Sequence, residues 1–313
     1  MLATIRTRLL LSVPLLLIVT LVSFVLNSLS PSDLARTILG ADGTQEQYLA
    51  LRHELGLDRS VLIQYASWLG NALGGDLGAS YLTKERVLSM LNPRLGVTLS
   101  IMIGVMLVCV SLGLLFGVLS ALRGGWVGKA IDVLSLVGLM MPSFLVALLF
   151  IMVFAVWLRW LPATGYVMFS QDPAGWLASL VLPILSVSFL PIANIAKQTR
   201  DGMNDVLRRD FIRALRASGV PEGSIIWKHA LRNAALPVIT VLGLVMVGAI
   251  SGTVFVERVF VLPGLGSLAV DAAQQNDIAV LQGATLYFGL LAVAINLIVD
   301  LSYGWLNPRV RLS

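Results

Sequence analysis

This chain is poor in charge. Asp, Glu, Lys and Arg make up 12% of its 313 residues against 57% hydrophobic residues, and a mean hydropathy of +0.88 excludes a soluble globular domain. Cysteine is nearly missing: Cys109 is the single one and lies in an apolar run, so neither a disulfide framework nor a Cys-based metal site can be built from this chain alone. The two histidines, His53 and His229, fall in polar segments on opposite sides of any membrane the chain spans, and cannot share a metal. No P-loop, H-E-x-x-H, C-x-x-C or nucleophile elbow stands in a convincing context, so enzymatic chemistry is not indicated. No carboxylate, lysine or arginine sits at the centre of an apolar run, which argues against a proton-coupled carrier with a relay through the bilayer.

What is present is a series of uncharged runs, each near the ~20 residues that cross a hydrocarbon core. They cover 9–30, 95–122, 133–158, 177–196, 237–256 and 278–299. Their hydrophobicity is continuous rather than alternating, so six transmembrane helices are expected, not an outer-membrane barrel. Fourteen of the 22 Lys and Arg residues fall in 1–8, 123–132, 197–236 and 300–313. The positive-inside rule then places both termini inside, and the net charge of +5 is a topology signal, with no nucleic-acid footprint. A cleaved signal peptide is the rival reading of residues 1–30, but the apolar run exceeds the usual ~7–15-residue core, favouring a retained first helix. The expected organisation is an N-terminal helix over 1–30, an extracytoplasmic helical segment over 31–94, a five-helix core over 95–303 that includes an inside region at 197–236, and a tail over 304–313.

In the outer segment, Thr44 with Gln47 reads as a capping box ahead of Tyr48, Leu51 and Leu55, a face that ends at Gly56. A second helix is expected from Ser60 to Leu73 with Leu62, Tyr65, Ala66 and Leu69 inward. A structural cap and a docking surface for an outside partner explain this segment equally well. Gly96, Gly104, Gly113 and Gly117 permit close helix approach in the second run. Met141-Pro142-Ser143 falls mid-run in the third, where proline frees carbonyls: either a packing kink or a polar lining of a pathway. Gly248 and Gly252 form a G-x-x-x-G pair in the fifth, marking a closely packed or lumen-lining helix. Asp132 reads as snorkelling or capping, Glu257 and Arg258 as hydrated at the outer interface, and Asp300 as paired with Arg309 or the inner loops. Residues 259–266 are apolar but broken by Pro263, Gly264 and Gly266, and suit a re-entrant or interface-lying loop.

The most structured polar stretch runs from Asp210 to Pro237. Asp210 suits an N-cap, Phe211, Ala214, Leu215 and Ser218 recur at helical spacing, and Gly219 suits a left-handed C-terminus. Pro221 opens a second helix, which Pro237 is expected to interrupt as the fifth span begins. A solvated basic loop would explain the charge alone, but exposed apolar positions at helical spacing raise the case for a partner site.

Several stretches carry a family resemblance: RALRASG at 213–219, KHALRNAALP at 228–237, SGTVFVERVFVLPGLG at 251–266, NLIVDLSYGWLNPRVR at 296–311 and LGLDRSVLIQY at 55–65. Over nearly its whole length the chain resembles permease subunits of the oligopeptide, dipeptide and nickel class of bacterial ATP-binding-cassette importers. The resemblance implies a type I importer permease in the bacterial inner membrane that works with a second homologous permease, two ATPases and an extracytoplasmic substrate-binding protein. It implies no catalysis and no cofactor here, ATP and Mg belonging to the ATPases. It makes 210–220 the coupling helix, the EAA loop, with Asp210, Phe211, Arg213, Ala214, Leu215, Ser218, Gly219 and Val220 meeting the ATPase. The general signature reads Arg213-Ala214-Leu215 here, departing at its acidic position and keeping Gly219. Met141, Pro142, Ser143, Gly248 and Gly252 are the expected pathway lining, and Tyr65, Trp68, Phe260, Pro263 and Gly264 the expected contacts for the binding protein. The resemblance makes peptide the expected cargo, a choice to which the want of a His, Cys or acidic cluster in the spans adds weight; nickel or another small solute is the alternative, and a self-sufficient carrier or channel the rival of another class.

Overall fold

A computed structural model describes residues 2–29, 34–40 and 43–306, so the expected end of the first helix at Ser30-Pro31 and the Arg309 partner of Asp300 lie outside the described residues. Apart from one isolated bridge between Ala79 and Arg86, those residues hold helices and turns without strands. In order the helices are α1 (Leu2–Ser28), α2 (Leu34–Leu39), α3 (Gln45–Glu54), α4 (Val61–Leu73), α5 (Val87–Arg123), α6 (Gly125–Met140) and α7 (Ser143–Phe150). A π-helical turn extends α7 over Ile151–Trp157. Then come α8 (Pro173–Leu207), α9 (Asp210–Ala217), α10 (Glu222–Ser224), a second π turn (Ile225–Ala230), α11 (Leu231–Val259), α12 (Leu265–Gln274) and α13 (Ile278–Leu306).

Five stretches are long and apolar enough to cross a membrane, namely Ile5–Ser28, Val87–Arg123, Pro173–Leu207, Glu222–Val259 and Ile278–Ser302, with Ser143–Trp157 as a shorter apolar helix. The third expected span is thus divided. Pro142 has no N–H to donate and sits in extended geometry (ψ 145°), so α6 stops and α7 starts afresh at Ser143. Pro237, by contrast, does not interrupt its helix, which is continuous from Glu222 to Val259. Upstream of Pro237 lie the π turn and a bond from Asn233 Nδ2 to the His229 carbonyl at 2.7 Å.

The chain divides into two compact units, residues 99–262 with 294–306 and residues 4–98 with 263–293. In the first, glycines of α5 set its approach to α8. A Cβ on Gly104 would stand 2.2 Å from Ile184 Cδ1, on Gly113 2.5 Å from Ile195 Cγ2, and on Gly117 2.7 Å from the Ala196 carbonyl oxygen. Gly96 has open space and plays no such part. Asp132 neither snorkels nor caps: Arg200 of α8 grips it with Nη2–Oδ1 at 2.9 Å and Nη1–Oδ2 at 3.2 Å, and also donates to the Gly128 carbonyl at 3.0 Å. This two-pronged pair ties α6 to α8. Glu257 is buried rather than hydrated, and the chain after α11 turns back on itself. Leu262 N donates to the Glu257 carbonyl at 2.8 Å, and Phe260 and Leu262 pack inward. The loop expected at 259–266 is therefore a short turn, and α12 follows it unforeseen.

The second unit gathers most of α1, then α2, α3, α4 and the start of α5, with α12 and the first part of α13. Thr44 and Gln47 form the expected capping box, and the Asp58 carboxylate accepts a 2.8 Å bond from His53 Nδ1, which holds its carboxyl below the usual range. On α4 the inward face is Val61, Gln64, Tyr65, Trp68 and Leu69; Leu62 and Ala66 face outward, one position off the expected register. Tyr65 sets that register, its hydroxyl lying 2.9 Å from Thr20 Oγ1 and donating to the Leu17 carbonyl of α1 at 3.1 Å. Below it, Leu77, Val87 and Leu91 pack with Leu265, Leu268 and Val280.

Candidate functional site

The polar stretch that begins in α8 builds a docking element. At ~1.5 Å per residue, the 35 residues of α8 span about 52 Å, well beyond a ~30 Å hydrocarbon core. Its C-terminal part, where charge begins at Lys197, must stand clear of that core. A break at Arg208-Arg209 leads into α9. Arg209, not Asp210, holds the N-cap position, and Asp210 begins the helix with Arg213 Nη1 at 3.2 Å from its Oδ1.

Two features hold α9 in place. Ile212 is completely buried with Val118, Met203, Val206, Ile225 and Ala230, an apolar cluster that binds α9 to α8 and to the π turn. At the other end Gly219 has φ 75°, Val220 N donates to the Leu215 carbonyl at 3.1 Å and Gly219 N to the Arg216 carbonyl at 3.0 Å. That is the Schellman pairing, and Val220 and Leu215 make its apolar contact against the same cluster. Glu222 adds a bond from Arg216 Nε at 2.8 Å across the turn. What remains outward is Phe211, Ala214, Ser218 and Gly219, with Arg213 and Arg216 beside them. Small residues next to one exposed ring, on a rigidly held helix, make a surface that another protein can approach closely.

The expected lining residues are partly brought together. Ser143, at the start of α7, lies beside Gly252, its Oγ 3.7 Å from where a Cβ on that glycine would stand. Met141 is half-buried and Pro142 exposed. Gly248 has nothing within 4 Å of a Cβ and belongs to an exposed stripe of α11 with Leu244, Val247, Ser251 and Phe255. Sequence reasoning missed the neighbouring cleft of about 510 Å³, lined by Asn194, Lys197, Gln198 and Asp201 of α8 and by Val241, Leu244 and Val245 of α11. The 194/197/198/201 helical spacing was the signal that could have found it.

Of the expected outer contacts, Trp68 is half-buried on α4 while Tyr65 is buried beneath it, so Tyr65 supports the cap from inside. In the 260–264 turn Phe260 is buried and Pro263 exposed. The prominent side chain there is Val261, 67% exposed and at φ 54°, a strained conformation for a β-branched residue. Among the described residues no group of three His, Cys, Asp or Glu side chains is placed to hold a metal.

Apolar helices of membrane length, packed into a bundle from which a short polar helix stands apart, define a multi-pass helical membrane protein. The chain belongs to the family of binding-protein-dependent transport system inner membrane components, which it matches over residues 113–312, with the N-terminal model of the same systems matching residues 1–102. Among its relatives, a putative peptide transport system permease protein of Brucella abortus is 40% identical over 312 residues, covering 99% of both chains. A probable peptide ABC transporter permease protein of Sinorhizobium fredii is 37% identical over 305 residues, 97% of each. A dipeptide transport system permease protein of Alkalihalophilus pseudofirmus is 34% identical, covering 99% of this chain and 100% of that one. The protein is thus an inner-membrane permease component of a transport system that depends on a binding protein.

Proposed function

We propose that this chain forms half of the translocation pathway of an ATP-driven importer of di- and oligopeptides, paired with a second, homologous permease and driven by two ATPase subunits that bind ATP and Mg. The observation that carries the reading is α9, pinned by Ile212, closed by Gly219 and turning Phe211, Ala214 and Ser218 outward. In this reading α9 seats in a groove of the ATPase on the cytoplasmic side. Because the chain from Glu222 to Val259 is one helix, movement of α9 is passed directly to the stripe around Gly248 and Gly252. Access at Met141, Pro142 and Ser143 alternates as that helix tilts, and the outer parts, the cap with Trp68 and the turn with Pro263 and Gly264, receive the binding protein. Supporting the peptide cargo, these relatives are named as peptide or dipeptide permeases.

The test is uptake by the reconstituted complex across a panel of peptides and nickel ions, with and without ATP. Expected is peptide uptake that requires ATP and the binding protein, abolished by Ala214→Glu while peptide capture by the binding protein stays normal. Uptake without ATP would overturn the reading in favour of a self-sufficient carrier, and nickel uptake without peptide uptake would overturn the cargo. Normal uptake by Ala214→Glu would remove α9 from the coupling route.

A further inference from the structure

We infer that the cap carries a binding site of its own for a short zwitterionic peptide, an inference that rests on the peptide cargo proposed above. A cavity of about 440 Å³ lies wholly within the unit of residues 4–98 and 263–293. That volume is within the roughly 300–1,000 Å³ of small-molecule pockets. Four segments wall it: α1 at Phe24, the α3–α4 junction with α4, the turn over residues 76–84, and the start of α13.

Two wall residues bring unmet hydrogen-bonding capacity. Gln282 is fully buried; its Nε2 donates to the Thr20 carbonyl at 2.8 Å, but its Oε1 has no partner. Trp68 Nε1 is likewise buried without an acceptor. Leaving one buried acceptor and one buried donor unpaired costs stability. A peptide group supplies one N–H and one C=O, the complement of that pair. Both atoms are covered in this structure, so the Trp68 and Gln282 side chains must turn toward the cavity when the ligand enters.

The charges around the cavity suit the ends of a free peptide. Arg59 and Lys84 line it together with Asp76, so a carboxylate and an ammonium each find an opposite charge. Lys84 is also held in a conformation it would not choose, at φ 61°. Its N–H donates to the Ser80 carbonyl at 3.1 Å, and Ser80 N to the Glu85 carbonyl at 2.8 Å, while the Ser80 hydroxyl bonds Asp277 of the same unit. Strain that the surrounding bonds enforce on a charged side chain at a cavity rim is what a built site looks like. A loop of the binding protein would offer peptide groups but not two charged termini, and so uses less of this wall.

The assembled transporter in detergent, without ATP and without binding protein, is titrated with radiolabelled trialanine and with its N-acetylated, C-amidated form. Expected is saturable binding of trialanine, at least tenfold weaker for the blocked form. Trp68→Phe keeps the ring and loses the N–H; Lys84→Gly removes the ammonium and relieves the backbone. Each is expected to weaken trialanine binding at least tenfold with the melting temperature of the complex unchanged or, for Lys84→Gly, raised. No saturable binding to the unmodified complex, or equal affinity in both variants, overturns the inference. So does a cavity that responds only to added binding protein and never to trialanine. Because binding is read without ATP, a failed uptake assay would sink the transport reading and leave this one standing on its own measurement.

Discussion

Glycine serves two separate purposes in this protein, and single residues test them. Gly219 is needed for its backbone, since it holds φ 75° with nothing near a would-be side chain. Gly117 is needed for its missing side chain, because a Cβ there meets the Ala196 carbonyl oxygen at 2.7 Å and Thr199 Cβ at 2.4 Å. A carbonyl on a packed helix cannot swing aside as a side-chain tip can. Gly117→Ala is therefore expected to destabilise by about 1–3 kcal/mol through overpacking, despite the ~1 kcal/mol that alanine gains in a helix. Gly96→Ala, with open space around it, is expected to be neutral or stabilising. Thermal unfolding of the two variants in detergent checks the contrast, and equal melting temperatures would contradict the packing account. That glycines of α5 permit close approach was legible in the sequence; that Gly104, Gly113 and Gly117 face α8 while Gly96 does not was not, since spacing does not name the partner helix.

At the scale of an element, α9 is a helix too short to stand by itself, because eight residues cannot repay the cost of helix nucleation in water. Its stability comes from Ile212 in the apolar cluster and from the Schellman closure at Gly219. Ile212→Ala is expected to cost about 2–5 kcal/mol of local stability, as for other large-to-small changes in a core. The spans should still insert, so the expected phenotype is a normally abundant protein whose α9 exchanges its amide hydrogens quickly and whose ATP-dependent uptake falls. Retained amide protection in α9 would show that the cluster is not what holds it. The amphipathic pattern announced this helix, yet the reading of Asp210 as cap was one residue off, since a cap is defined by backbone angles that neighbouring candidates Arg209 and Asp210 share in sequence. The break at Pro142 and the continuity at Pro237 show the same limit. Both prolines remove a donor, yet the backbone at Pro142 turns extended while the helix through Pro237 continues, a difference the local sequence does not record.

At the scale of the whole molecule, the charge distribution demands a sidedness that labelling can read. With Cys109, buried in α5, replaced in a Cys109→Ser background, Arg213→Cys should react with a membrane-impermeant maleimide only in inside-out vesicles. His53→Cys should react only in right-side-out ones. The reverse pattern would invert the topology and move α9 away from the ATPases.

By itself the sequence determined the class of this protein: hydropathy and charge asymmetry dictate a helical membrane protein, because these are properties of the chain's composition in a bilayer, and the motifs at 213–219, 228–237 and 251–266 carry its likeness to importer permeases. Tertiary structure alone decided which groups are buried together. Asp132 finds Arg200 sixty-eight residues away, Glu257 is buried at the end of α11, and Gln282 and Trp68 come to the wall of one cavity. Local sequence records what a residue can do, whereas burial and pairing depend on contacts between segments distant in the chain.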